Sequence, residues 1–446
     1  MNRFDIINRI GDKYRVGNTE TGEFSYAQAL KSVGKDIKDY QKATTGTQHK
    51  FLDLRFENER LAVLVECKNK FSRWDKAKIQ GQLQDYVRFE KAYSDKNDKS
   101  TAGQDLLNLF FTTFNKYVGK SDKNQAFTPD HICDFMSKAV GVNKNSRVLD
   151  PCCGSGAFLV RAMTDAMDDC DTEEEREEVK KNQIFGIEYE EGAFGLSSTN
   201  MLIHGDGNSN VVQDSMFKRA KWIAENNINI VLMNPPYNAT KKCCDPDYTK
   251  EWDAKKKEDP SKGLHFVEWV ARHVPSTCKM AVLLPMQAAI GNTGDVKDFK
   301  KKMLDNYTLD AVFSLPTEMF YPGAAAVACC MIFDLSQKHE KANRDTFFGY
   351  FKDDKFIKRK GLGRIEQTDT NGNSLWSKTK ELWLDLYKNK REVPGLSVMK
   401  RVTWKNEWLA EAYMETDYST LSESDFQKTI NDYLAYLVKE GHVYEA

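Results

Sequence analysis

The tetrapeptide Asn234-Pro235-Pro236-Tyr237 ends an apolar run, INIVLM, whose last residue is Met233. Read as a strand, that run delivers Asn234 to the carboxyl edge of a sheet, where open α/β sheets bind ligands. The two prolines fix φ and remove two donors, so the bend is stiff and presents carbonyl oxygens. Asn234 adds a side-chain acceptor and Tyr237 a flat ring. Acceptors beside a ring suit an exocyclic amino group on a flat heterocycle.

A second set suits a nucleotide-like cofactor. In VLDPCCGSGAFL a strand ends at Asp150, Pro151 follows, and Gly154-Ser155-Gly156 turns the chain into a helix. Paired glycines let backbone approach a ligand closely, and the helix start offers free N–H groups. The third glycine of the dinucleotide fingerprint is absent and no G-K-[ST] follows; the bland alternative is a tight turn that binds nothing. The next strand, FGIEYEEG, ends on Glu188, placed to accept from ribose hydroxyls. It lies later than the usual ~20 residues, a delay the acidic insert 168–181 accounts for. Asp206, in NMLIHGDGNS, is expected just past a helix and a short third strand, where it could accept from an adenine amino group. Taken singly, Glu188 and Asp206 read equally well as ordinary exposed carboxylates.

A third set lies near the N-terminus. The stretch FLDLRFENERLAVLVECK alternates into a hairpin with Asn58 at its turn. Asp53 and Glu66 flank it, with Lys68 two residues on; two carboxylates there could hold Mg²⁺ and orient a water at a phosphate. Gln82 and Tyr86 follow one helical turn apart. A solvated charge cluster is the plainer alternative. Upstream, Glu20 and Glu23 are only candidates to complete a metal site.

These residues need elements to hold them. RVLDP, IFGIEYE, INIVLMNPP, KMAVLLP, LDAVFSLP and AVACCMIFDL read as short strands separated by helical patterns, among them SGAFLVRAMTDAM with Leu159, Met163 and Met167 on one face. The alternation predicts an α/β fold with a doubly wound, mostly parallel Rossmann-like sheet. An edge hairpin, TFFGYFKDDKFIKRK, is expected to finish it. Three regions follow: 1–100, 105–370, and a helical tail over 371–446 too short for a large core of its own. The acidic insert reads as a solvated helix and turn. The lysine-rich loop 241–263 and the stretch KFIKRKGLGR (355–364) read as solvated surface or as lysines set on phosphates.

Over the 446 residues, hydrophobic residues are 40% and charged residues 29%, enough to bury real cores. No apolar run approaches the ~20 residues of a membrane span, and MNRFDIINRI lacks a signal-peptide core, so a cytoplasmic protein is expected. The ten cysteines include no C-x-x-C and read as reduced core thiols. A net charge of −1 means that any nucleic-acid binding is local or shared with a partner.

Five segments in order, QAFTPDHICDFM (125–136), DPCCGSG, NMLIHGDGN, NPPY and LPTEMFYPGAAAVACCMIFDL, resemble the motifs of amino-methyltransferases of DNA over residues 105–335. The resemblance is strongest to the methylation subunits of type I and type I-like restriction–modification systems. It implies S-adenosylmethionine at Asp150, Pro151, Gly154, Ser155, Gly156, Glu188 and Asp206, with Phe127, Thr128 and Pro129 against its methionine half. It implies catalysis by Asn234, Pro235, Pro236 and Tyr237, and Asn in first position implies adenine N6 over cytosine N4. Acceptors on Asn234 Oδ1 and the Pro235 carbonyl would free the amino lone pair, with a flipped adenine stacked on Tyr237. The N-terminal region resembles the PD-(D/E)xK nuclease fold, with Asp53, Glu66, Lys68, Gln82 and Tyr86 as its matching residues and Leu52 where the motif has proline. The whole then resembles a combined restriction–modification subunit: an adenine-specific DNA methyltransferase with a type II endonuclease domain. Double-stranded DNA and a separate specificity subunit, docked on the tail in a hetero-oligomer, are the implied partners, since too few residues remain for target-recognition domains. Three alternatives stand beside it: a methyltransferase with an inactive nuclease fold, a protein amide methyltransferase, and an assembly subunit without turnover.

Overall fold

The computed structural model describes residues 128–204, 210–250, 252, 257–321, 326–359, 363–415 and 422–439, together with five short strands between residues 37 and 65. Those strands are β1 (Ile37–Lys38), β2 (Ala43–Thr45), β3 (Gln48–Lys50), β4 (Leu54–Asn58) and β5 (Leu61–Val65). β4 and β5 pair antiparallel with Leu54 opposite Val65 and Asn58 opposite Leu61, the hairpin that the alternation predicts. β1 adds to β4.

The large sheet is built from β6 (Val148–Asp150), β7 (Ile184–Glu188), β8 (Asn210–Gln213), β9 (Ile230–Met233), β10 (Lys279–Pro285), β11 (Thr308–Ser314), β12 (Ala328–Asp334), β13 (Thr346–Tyr350) and, past a separate ribbon of β14 (Phe356–Arg359) and β15 (Gly363–Glu366), β16 (Ser397–Lys400). The spatial order is β16-β13-β11-β12-β10-β9-β6-β7-β8. All neighbours from β8 to β10 are parallel, as are β11 and β13; β12 runs antiparallel between β10 and β11, and β16 against β13. The chain winds outward from β6 through β7 to β8, then returns to β9 on the other side of β6. The gap between β6 and β9 is therefore the switch point where a crevice opens.

The central strands are apolar throughout because both faces are covered. Leu232, Ala281 and Leu283 join one core, and Val231, Met233, Met280, Val282 and Leu284 the other, by the two-residue period of a strand. The helices are α1 (Asp130–Val140), α2 (Ala157–Asp168), α3 (Glu173–Asn182), α4 (Glu191–Ile203), α5 (Ala220–Glu225), α6 (Pro246–Thr249), α7 (Leu264–Ala271), α8 (Met286–Ile290), α9 (Gly294–Asn306), α10 (Leu375–Lys388) and α11 (Glu423–Lys439). α1, α2 and α10 bury Phe135, Leu159, Met163 and Trp383 in the first core; α7 and α9 bury Phe266, Phe299 and Met303 in the second. The acidic insert forms α3, started by a reciprocal capping box between Thr172 and Glu175. No helix among the described residues is long and apolar enough to cross a membrane.

Three expectations are corrected. TFFGYFKDDKFIKRK is not a hairpin: β13 enters the large sheet beside β11, and β14 pairs instead with β15. The reason is burial, since Thr346 to Gly349 are apolar enough to be enclosed while β14 is not. The tail over 371–446 is not one helical appendage. α10 lies on α1 and β13, Trp383 stacks on Phe351 at 4.5 Å between centroids, and β16 completes the sheet edge. Only α11 stands apart in character, with Phe426, Ile430, Tyr433 and Leu434 about half exposed. Finally, the third strand, β8, begins after Asp206 rather than before it.

Candidate functional site

At the carboxyl end of β6 the chain turns through Gly154 (φ 52°) and Gly156 (φ 81°), both in the left-handed region. A Cβ on Gly156 would meet Ser197 Cβ at 3.3 Å, so this glycine also permits the approach of α4. A Cβ on Gly154 would meet nothing within 4 Å, so backbone there faces open space. Asn200 Nδ2 donates to the Ser155 carbonyl at 3.0 Å and pins the turn. Glu188, at the end of β7, is buried. Its Oε2 accepts the Gly154 N–H and its Oε1 the Glu190 N–H, both at 2.8 Å. Burial raises its pKa, against those backbone donors. Asp150 is 2% exposed and accepts the Cys152 N–H at 3.1 Å; its pKa is pushed well up by burial, with Glu188 adding repulsion. Two buried carboxyl groups thus hold the glycine turn at the carboxyl ends of β6 and β7, by accepting the Cys152 and Gly154 N–H groups.

Asp206 and Phe127 lie outside the described residues. The acid that the structure places at the end of the third strand is Asp214, whose N–H bonds to the Glu188 carbonyl at 3.0 Å. Its carboxylate accepts from Arg219 Nε at 2.8 Å. The apolar pair Val211-Val212 before it was the signal that sequence reading passed over. Tyr189, next to Glu188, is 46% exposed and is a second residue missed there.

Across the switch point, β9 presents the Asn-Pro-Pro-Tyr bend. Asn234 Nδ2 donates to Thr128 Oγ1 at 3.1 Å, and Thr128 is itself buried. Asn234 Oδ1 is enclosed and accepts from no group among the described residues. An enclosed acceptor left unpaired costs about 1–3 kcal/mol, and such groups concentrate at functional sites. Thr128, expected only against the cofactor, therefore also fixes the orientation of the carboxamide. Pro129 sets the N-terminus of α1 just behind it. Pro235 is buried against Gly263, where a Cβ would come within 3.3 Å of its ring. Tyr237 is half-buried rather than an open platform: its ring meets Phe320 at 6.4 Å, steeply inclined, and its hydroxyl is enclosed without a partner. Burial pushes that phenol's pKa well up. Phe320, from the segment after β11, is a further site residue that sequence reading did not single out.

Thr128→Val keeps the volume and removes the acceptor for Asn234 Nδ2. Loss of that orientation is expected to lower turnover by about 10- to 100-fold, checked by steady-state kinetics at saturating cofactor.

The lysine-rich loop after the bend is tied down in its described parts. Thr240 bridges Glu258, the Asp259 N–H bonds to the Ala239 carbonyl at 2.8 Å, and Tyr248 OH donates to Asp259 at 3.1 Å and Asp295 at 2.8 Å. Asp53, Glu66, Lys68, Gln82 and Tyr86 lie outside the described residues. Among the described residues no group of three His, Cys, Asp or Glu side chains is placed to hold a metal ion.

The family described as N-6 DNA Methylase matches residues 103–439. The type II restriction enzyme and methyltransferase RM.BcgI of Heyndrickxia coagulans is 31% identical over 342 residues, which is 76% of this chain and 50% of that protein. The type I restriction enzyme EcoEI methylase subunit of Escherichia coli is 24% identical over 197 residues, 44% of this chain and 39% of that one. The chain thus spans half or less of the length of these curated relatives. A modification subunit assigned to a type I restriction enzyme of Vibrio vulnificus YJ016 superposes with a TM-score of 0.53 at 17% identity, covering 77% of this chain and 67% of that chain, a likeness of fold alone. With about three quarters of its length matched, the chain belongs to the N-6 DNA methylase family.

Proposed function

We propose that the chain transfers a methyl group from S-adenosylmethionine to the N6 of a flipped adenine in double-stranded DNA, as the modification part of a restriction–modification system. The observation that carries this is Asn234 Oδ1, an enclosed acceptor with no described donor, its carboxamide oriented by the bond from Nδ2 to Thr128. A purine amino group supplies the two hydrogens that Oδ1 and the Pro235 carbonyl can take. Accepting them draws the amino nitrogen toward a tetrahedral shape and frees its lone pair for attack. The enclosed Tyr237 hydroxyl is a second standing cost, and rotation of that ring onto an entering base would relieve it. The base must leave the duplex to reach this depth.

The cofactor fits the opposite end of the crevice: open space at Gly154, amides at the start of α2, Glu188 for ribose hydroxyls and Asp214 for an adenine amino group. When bound it supplies an electrophilic methyl carbon. Tyr189 offers an exposed ring beside Glu188. Asp206, Phe127, Pro151 and Ser155 remain part of the proposed set. Tritium transfer from the donor to DNA, against transfer to protein, tests the reading; label on protein alone would defeat it.

Because burial raises the Glu188 pKa above its usual 4.5, its accepting capacity is lost as pH falls through a value higher than for an ordinary Glu. Cofactor affinity is expected to weaken on acidification from that point. Glu188→Gln should bind about tenfold more weakly and flatten the profile, with Asp150 the remaining titrating neighbour. Calorimetric titration between about pH 4 and 7 checks both.

The N-terminal region is proposed as a Mg²⁺-dependent endonuclease carrying Asp53, Glu66, Lys68, Gln82 and Tyr86, with the metal on Asp53 and Glu66. The relative of 31% identity whose name joins restriction enzyme and methyltransferase supports it. Uncut supercoiled DNA in Mg²⁺, with no effect of Glu66→Ala or Lys68→Ala, would remove it. Docking of a specificity subunit is proposed on α11, whose exposed Phe426, Ile430, Tyr433 and Leu434 suit a helical partner. Co-purification lost on deleting α11 is the matching test.

A further inference from the structure

Among the described residues, four non-glycine residues have positive φ, and three are lysines: Lys262 (57°), Lys355 (60°) and Lys390 (49°). L side chains rarely adopt this region, so a lysine held there needs a reason in its side chain. Lys355 has one, an ion pair with Asp353, and Lys390 another, an ion pair with Asp310 at 3.2 Å. Lys262 differs. Its ammonium donates only to the neutral Asn238 Oδ1 at 3.2 Å, and no carboxylate among the described residues pairs with it.

The turn that holds Lys262 is rigid. Asp259, fully buried, accepts from the Ser261 N–H, the Ser261 hydroxyl and the Gly263 N–H at 2.9 Å each, and from Tyr248 OH. With all four bonds taken, that carboxylate is not a partner for Lys262. The next residue, Gly263, lies directly against Pro235, and Asn238 directly follows Tyr237. The turn therefore fixes a cation to the rim of the Asn-Pro-Pro-Tyr bend from both sides. Lys241 and Lys242, exposed on the same loop, likewise have no described carboxylate partner, whereas Lys250 is paired with Asp247.

We propose that Lys262 binds a backbone phosphate of the DNA strand next to the extruded nucleotide. The inference rests on the methyltransfer reading above and adds a substrate contact to it. A flipped base stays tethered through its sugar, so the strand must pass the mouth of the pocket. A fixed ammonium with spare donors there meets phosphate oxygen without reading sequence. It is a positioning residue: it holds the strand so that the adenine enters between Asn234 and Tyr237.

Lys262→Gly provides the test, because glycine suits this backbone better than lysine does. The chain, with any partner that co-purifies, is assayed by tritium transfer to duplex DNA free of N6-methyladenine, across about 50–200 mM salt. Lys262→Gly and Lys262→Gln are expected to raise KM for DNA about fivefold and to lower its log–log salt dependence by about one. Turnover at saturating DNA and cofactor affinity should hold, Lys262→Arg should resemble the parent, and Lys262→Gly should melt no lower than the parent. An unchanged KM and salt dependence in Lys262→Gly overturns the inference, as does a loss of turnover with KM unchanged. Absence of any transfer to DNA by the parent overturns the methyltransfer reading itself, and the lysine's role with it.

Discussion

Asn234→Ala is expected to lower methyl transfer to DNA by at least about 10²–10³-fold, the usual effect of deleting one preorganised polar group aimed at a reacting centre. Cofactor affinity should stay within about twofold, because Asn234 touches none of the groups around the glycine turn. The physical reason is the division of labour within one carboxamide. Nδ2 is committed to Thr128 Oγ1, and Oδ1 is left enclosed with no donor among the described residues. Alanine removes the carboxamide acceptor of the bend while the prolines keep its backbone path, so the loss falls on turnover rather than on binding. Asn234→Asp separates acceptor from donor. It keeps an oxygen at the crevice and can take a hydrogen bond from the Thr128 hydroxyl, so it should retain more activity than Ala. Single-turnover transfer of labelled methyl, beside cofactor titration, reads both. Full turnover by the alanine variant would sink the assignment of this bend as the reacting site.

Much of this site was legible because local chemistry announced it. The apolar run before Asn234 could only be a buried strand, and the two prolines could only make a stiff bend. Glu188 was placed correctly at a strand end because β7 reads as four apolar or small residues closed by an acid. What was not legible depended on chain returning from far away. Thr128 and Asn234 are 106 residues apart, and no spacing rule links them. Phe320 reaches Tyr237 from the segment after β11. The third strand was misplaced because NVVQ is short and only partly apolar, so Asp206 drew attention from Asp214. β16 and α10 were read as a tail because nothing in their composition says that β13 lacks a covering neighbour. The nuclease-like residues lie outside the described residues, and the resemblance alone carries them.

Asp354→Ala is expected to destabilise the chain by about 3–5 kcal/mol, the range for stripping one partner from a buried ion pair. Asp354 is 1% exposed and sits just before β14. Both its oxygens bind the Arg364 guanidinium at 2.6 Å, and Oδ2 also meets His131 Nε2 at 2.9 Å. His131 in turn stacks on Phe356 at 3.9 Å. The carboxylate thus ties the β14–β15 ribbon to the first turn of α1, two residues beyond Pro129. Removing it leaves Arg364 buried without its partner. Its bonds to His131 and Arg364 outweigh burial and lower its pKa from 3.8 to about 2. A depressed carboxylate contributes stability that is present above the unfolded value and is lost as pH falls through the folded one. The window is therefore between about pH 4 and pH 2, and the contribution is about 2 kcal/mol. Urea unfolding near neutrality should show the variant's midpoint well below the parent's, with the gap shrinking through that acid window. Asp353→Ala, which removes an exposed neighbour paired with Lys355, should change stability by less than about 0.5 kcal/mol. Because the ribbon's anchor stands so near Thr128, the Asp354 variant should also lose turnover in proportion as α1 loosens, whereas Asp353→Ala should not. Equal stability of the two variants would show that the ribbon is held by its apolar contacts and that the buried pair is incidental.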